Sequence, residues 1–195
     1  MNMPLASGFM ETAKLEELEL FAENVRRFVE TEVVPNYEVW EKAEIFPRHL
    51  WNQLGEQGLL CVDLPESYGG AGADFLFSMV IQEEFSRANC GALGGPMAVH
   101  SDVVAHYLLN HGTEEQKQSY LPAMASGKCV GAVAMSEPGA GSDLQGIRTS
   151  ARREGDDYVI NGSKIFITNG QHCDLVVVAA RTNLDVRGSK GTTLF

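Results

Sequence analysis

Apolar residues in the first two thirds of the chain recur at helical spacing. Leu18, Phe21, Ala22, Val25, Phe28 and Val29 follow an i, i+3, i+4, i+7 rhythm, and Pro35 marks a stop after it. Pro47 suits the first turn of a second helix carrying Leu50, Trp51 and Leu54 and closing near Gly55 or Gly58. Residues 65–72, Pro-Glu-Ser-Tyr-Gly-Gly-Ala-Gly, are loop by composition. A third helix is predicted from Asp74, a natural N-cap, through Phe77, Val80, Ile81 and Phe85, and a fourth from Met97 to Asn110, ending at Gly112. Thr113-Glu114-Glu115-Gln116 is a capping-box pattern opening a fifth through Tyr120 and Met124.

After Gly127 the period changes. Val130 to Met135 is a short apolar run, Ile147 to Arg153 alternates weakly, and Glu154-Gly155-Asp156-Asp157 is a turn. Tyr158-Val159-Ile160 leads into Asn161-Gly162, a strong hairpin signal, with Ser163 to Thr168 as the expected return strand. Asp174 to Arg181, with Val176-Val177-Val178, is another buried strand. Helices first and strands second argue an α+β protein: a helical domain over residues 1–128, then an antiparallel β-domain over 129–195, as an open barrel or sandwich. Thr192 to Phe195 enters a strand with no turn or cap after it, so the sequence reads as a fragment with its β-domain incomplete.

Charge and cysteine usage narrow the chemistry. A net charge of −11 disfavours binding to nucleic acid or to an anionic membrane. Cys61, Cys90, Cys129 and Cys173 have neither CxxC nor Cys/His ligand spacing, which argues against zinc and against a disulfide framework and for reduced buried thiols. His106 and His111 are five apart, wrong for an i, i+4 metal pair, so His100, His106 and His111 are read as core or surface residues. Residues 1–11 show no secretory signal, and no apolar run approaches the roughly 20 residues that span a bilayer. The compartment expected is a bacterial-type cytoplasm, or the mitochondrial matrix if a presequence has been removed.

The richest stretch chemically is Ala134-Met135-Ser136-Glu137-Pro138-Gly139-Ala140-Gly141-Ser142-Asp143, an apolar strand breaking into a Gly-rich turn. Glycines let backbone N–H groups approach a ligand closely, and Ser136, Ser142 and Thr168 add adaptable hydroxyls. On the residues alone, a plain strand-to-loop turn with capping Ser and Asp is the favoured reading, by about two to one, because short Gly motifs are weak signals. A P-loop is excluded because no Gly-Lys-Ser/Thr follows. Glu137, directly after a strand and beside Pro138, is read as local structure. Phe166 is either a sheet residue packing on a core or a ring facing a ligand. The Tyr68 to Gly72 loop is either a pocket lining or a plain interhelix turn.

Met135 to Asp143, with Pro65-Glu66, Gly69-Gly70, Gly112 to Lys117 and Asn161-Gly162-Ser163-Lys164, resembles the acyl-CoA dehydrogenase family across essentially the whole chain. Asp143 to Ile147 is most similar to the long-chain branch. The resemblance implies an N-terminal helical domain, a middle β-domain that binds FAD, and a C-terminal helical domain absent from this chain. The reaction implied is α,β-dehydrogenation of an acyl-CoA thioester to a trans-2-enoyl-CoA, with an electron-transfer flavoprotein as acceptor and a homo-oligomeric full-length enzyme. Alternatives within the same fold are an acyl-CoA oxidase or a flavin monooxygenase; a non-catalytic module is a further one.

Carried over by position, Val133, Ala134, Met135, Ser136, Gly141 and Ser142 belong to the first flavin segment and Phe166, Ile167 and Thr168 to the second. Ser136 and Thr168 are implied to hydrogen-bond the flavin, and Ser142 also the CoA portion of the substrate. Phe166 stands where Trp is common in the family, so any role of an indole N–H does not transfer. The catalytic base is expected beyond residue 195 and no metal is implied. These residues alone are accordingly expected neither to turn over acyl-CoA nor to hold FAD tightly.

Overall fold

The structure, a computed structural model, describes residues 12–186 and 188–195. The described residues form two compact units that divide after Lys128. Among the described residues no helix is long and apolar enough to cross a membrane.

The first unit is helical: α1 (Thr12–Phe28), α2 (Val34–Ala43), α3 (Arg48–Glu56), α4 (Phe75–Arg87), α5 (Gly91–Ala98), α6 (Ala105–His111) and α7 (Glu114–Ala125). Its core is built from the stripes the periodicity picks out: Leu18, Val25 and Phe28 on α1, Leu50, Trp51 and Leu54 on α3, and Phe77, Val80, Ile81 and Phe85 on α4. Each such side chain stabilises by roughly 1.5–3 kcal/mol through burial. Asp74 caps α4 by accepting the Leu76 N–H at 2.9 Å. Thr113 and Gln116 form the full capping box of α7. The end of α3 closes through Leu59 N–H to the Leu54 carbonyl (2.9 Å) and Gly58 N–H to the Gly55 carbonyl (3.0 Å), with Gly58 at φ +66°.

Two helix boundaries differ from expectation. Pro35 does not stop the first helix. A π-turn (Val29–Val33) intervenes, the Val34 N–H reaches back to the Val29 carbonyl, and Pro35 falls in the first turn of α2, where its missing N–H costs least. The fourth helix begins at Gly91, six residues before Met97, and passes through a second π-turn (Val99–Val104). Its glycines and Pro96 look like breakers. Gly94 is instead a contact point, where a Cβ would lie 2.4 Å from Gln82 Oε1 on α4.

The second unit is an open five-stranded sheet: β1 (Gly131–Ala134), β2 (Ser150–Glu154), β3 (Asp157–Asn161), β4 (Leu175–Arg181) and β5 (Thr192–Leu194). The order is β1-β4-β2-β3, with β5 also on β4. The β2–β3 and β4–β5 pairs are antiparallel; β1 runs parallel to β4, Gly131 opposite Leu175. Short 3₁₀ turns are the helical elements described in this unit.

The hairpin lies one strand earlier than Asn161-Gly162 suggests. Glu154 pairs with Asp157 across Gly155-Asp156, and Gly155 takes φ +64°, the conformation a two-residue turn asks of its first residue. Residues 163–168 form no strand. Gly162 serves close approach: a Cβ there would lie 2.2 Å from Thr149 Oγ1.

Candidate functional site

β1 ends at Ala134, and the chain leaves the sheet through Met135 and Ser136 into a tight turn. Glu137 N–H donates to the Ala140 carbonyl (2.9 Å) and Ala140 N–H to the Glu137 carbonyl (3.1 Å), with Pro138-Gly139 at the tip. Ala140 packs with Ile147, Ala179 and Met135 in a small apolar cluster that fixes this turn on the sheet. Gly141 and Ser142 follow, both exposed, and Asp143 accepts the Gln145 N–H at 3.2 Å to start a 3₁₀ turn.

The second candidate segment lies beside the first. Ile165 N–H donates to the Ser136 carbonyl (3.0 Å), and Lys164 Nζ donates to the Met135 carbonyl (2.8 Å) and to Glu137 Oε1 (2.9 Å). Asn169 Nδ2 donates to the Gly131 carbonyl at 3.0 Å, tying the end of the segment to β1. Between these anchors the backbone at Phe166 takes φ +55°, uncommon for a residue with a side chain, and the ring is 91% exposed. An aromatic held out in water on a left-handed backbone is not serving a core. It presents a flat apolar face, with the exposed Thr168 two residues on and the half-buried Ser136 in the neighbouring segment.

Of the residues singled out in the sequence, Met135, Ser136, Phe166, Ile167 and Thr168 belong to these stitched segments. Val133 is half-buried and Ala134 buried at the end of β1. Gly141 and Ser142 lie past the Glu137–Ala140 turn and enter none of the joining hydrogen bonds named above.

Glu137 is the electrostatic centre of the loop system. Its side chain is 7% exposed and accepts the Arg148 N–H at 2.6 Å, the Thr149 N–H at 2.9 Å and the Lys164 ammonium. Burial alone pushes its carboxyl up, but hydrogen bonds from Thr149, the Arg148 N–H and Lys164 outweigh that and hold it at about 2. A carboxylate so weakly basic, with its oxygens engaged, is a poor proton acceptor. The sequence pattern assigns no role to Lys164 or Asn169, which the structure places at the junction of the two segments. The available signal was a cation directly preceding Ile165-Phe166 in what reads as a strand.

In the helical unit, Tyr68 donates to both carboxylate oxygens of Glu114 at 3.0 Å, fastening the 65–72 loop to the first turn of α7. His100 is buried and its Nε2 lies 3.1 Å from the Met124 carbonyl and 3.7 Å from Cys61 Sγ. Burial lowers its pKa to about 4, the Met124 carbonyl opposing and Arg48 adding to the shift. It is a neutral core histidine.

Comparison with known proteins assigns the fold. Residues 15–128 match the model of the acyl-CoA dehydrogenase N-terminal domain, and residues 132–195 that of the acyl-CoA dehydrogenase middle domain. The chain belongs to the acyl-CoA dehydrogenase family. It is 49% identical over 180 residues to the mitochondrial long-chain specific acyl-CoA dehydrogenase of Rattus norvegicus, covering 92% of this chain and 41% of that protein. Among solved structures it superposes on an acyl-CoA dehydrogenase from Geobacillus kaustophilus with a TM-score of 0.87 at 43% identity, covering 95% of this chain and 48% of that one. A glutaryl-CoA dehydrogenase from Mycobacterium smegmatis, solved in complex with FADH2, gives a TM-score of 0.85 at 32% identity, covering 95% and 46%. The chain thus spans less than half the length of each of these proteins.

Proposed function

We propose that the protein is an FAD-dependent acyl-CoA dehydrogenase acting on medium- to long-chain acyl-CoA thioesters. The observation that carries this reading is the joining of residues 135–137 to residues 164–165, with Phe166 projecting beside them. The residues fit a flavin: an exposed ring on which a flat heterocycle can lie, hydroxyls at Ser136 and Thr168, and a backbone held by buried anchors. Bound FAD would supply the acceptor for the hydride that leaves the β-carbon. Ser136 and Thr168 would hydrogen-bond the ring edge, the protein's usual lever on such a cofactor. Phe166 would cover a ring face and keep water from it, and Val133, Ala134, Gly141 and Ile167 would complete the contact surface. Ser142 would touch the CoA portion of the substrate.

We assign the base that takes the α-proton to no residue of this chain; Glu137 is unsuited to it. The partners implied are the acyl-CoA, an electron-transfer flavoprotein and further copies of the subunit, in a bacterial cytoplasm or a mitochondrial matrix. The test is to purify the protein at the full length its source produces and mix it with acyl-CoA thioesters of increasing chain length, with and without oxygen. Loss of the yellow absorbance without oxygen, with enoyl-CoA formed and slow return of colour in air, is expected. Fast return in air would point to an oxidase. These 195 residues by themselves are expected to be inert, so the result that would sink the reading is a colourless, inert protein at the full length its source produces.

A further inference from the structure

The proposed chemistry leaves two charged side chains unused, and both lie where the candidate segments meet. Lys164 and Glu137 pair at 2.9 Å with side chains only 11% and 7% exposed. Both are engaged chiefly with each other and with backbone groups. Glu137 takes the Arg148 and Thr149 N–H groups besides the ammonium, and Lys164 spends a second hydrogen bond on the Met135 carbonyl. Gly162 makes this convergence possible by letting the chain run against Thr149, two residues before Lys164. One residue further on, Ile165 N–H bonds the Ser136 carbonyl, and at Phe166 the backbone turns left-handed.

A buried ion pair gains little net stability over a well-packed apolar pair, because two desolvation penalties offset the attraction. What it adds is direction. An ammonium shared between a carboxylate and a carbonyl accepts only a narrow range of positions, whereas a methionine packs in many.

We infer that the Glu137–Lys164 pair is the positioning device of the flavin site. It locks residues 135–136 against residues 165–168 and so sets the spacing at which Ser136, Phe166 and Thr168 meet the ligand. The inference rests on the flavin reading above for the identity of that ligand, but not for the lock itself.

The test compares purified wild-type protein with K164M, K164R and the double variant E137Q/K164M, in which neither partner is left as a lone charge. Two quantities are read: amide exchange across residues 165–168 without ligand, and affinity for added FAD. K164M and the double variant are expected to exchange faster in 165–168. They should bind FAD about tenfold more weakly or worse, the scale seen when groups that orient ligand contacts are removed. The double variant should keep the wild-type unfolding midpoint, and K164R should recover most of the affinity.

Wild-type exchange in 165–168 together with FAD affinity within about twofold of wild type, under 0.5 kcal/mol of binding energy, would overturn the inference. So would a double variant that fails to fold, since the pair would then serve stability alone. If the wild-type protein binds no FAD, the flavin reading falls while the exchange measurement still decides the lock.

Discussion

The two units fix their backbones by opposite means. In the helical unit, side-chain packing holds the frame: Val25, Leu50, Trp51, Leu54, Phe85 and Leu93 are all but sealed from water. A buried carboxylate is present there too, Glu84 at 3% exposure, but the Arg26 that forks onto it at 2.9 and 3.0 Å is 42% exposed and the pair joins two regular helices, while the buried His100 is kept neutral. In the β unit the core around Ala140, Ile147 and Ala179 is small, and the loops leaving β1 are ordered around the charged Glu137. Where the chain is regular, the apolar stripes carry most of the frame and the Arg26–Glu84 pair adds to it. Where irregular loops must present a ring and hydroxyls at set positions, directional polar contacts take over, and the candidate chemistry lies there.

The strongest way to break this comparison is to remove the charge at its centre. E137A leaves the Lys164 ammonium and two N–H groups without their acceptor, and uncompensated buried charge costs about 3–5 kcal/mol. Denaturant unfolding should show the β unit lost first with the helical far-UV signal retained. A cost under about 1 kcal/mol would show that packing, not charge, holds the loops.

Acid separates the units by pH window. Burial holds the His100 imidazole at about 4 when folded, against its ordinary 6.5, so the unfolded chain binds its proton first. Its contribution is whole above pH 6.5 and is lost as pH falls toward 4, about 3 kcal/mol in all. Glu137, at about 2 against 4.5, keeps its contribution down to pH 4.5 and loses a similar amount below that. Urea midpoints followed from pH 7 to 4.5 should therefore fall for the helical unit and hold for the β unit, and H100Q should flatten the helical slope.

How much of this is legible in sequence follows the same division. Apolar spacing marks the helices, and caps such as Asp74 and Thr113 mark their starts, because those signals are local. The π-turns do not show, since one extra residue in a turn hardly disturbs the periodicity. Asn161-Gly162 misleads because its glycine answers to Thr149, a contact thirteen residues away that local turn rules cannot see. Glu137, read as local structure from its place after β1, is buried and engaged by hydrogen bonds. Lys164 is invisible as its partner because the pair forms only once 163–168 is a loop rather than a strand.

Smaller changes sharpen the contrast. G162A forces a methyl group into Thr149, and overpacking of this kind costs about 1–3 kcal/mol. Thermal unfolding should show the loss in the β unit, with hydrogen exchange raised around Lys164. T113A removes half of the α7 capping box and should cost about 1 kcal/mol in the helical unit, leaving the 135–168 loops unchanged in exchange.

The most direct test of the central claim is an amide-exchange footprint of FAD on the purified protein. New protection is expected in the β unit at Met135, Ser136 and Ile165 to Thr168, in step with the appearance of a bound-flavin visible spectrum. Binding that leaves those amides unprotected, or no binding, would contradict the assignment of the site.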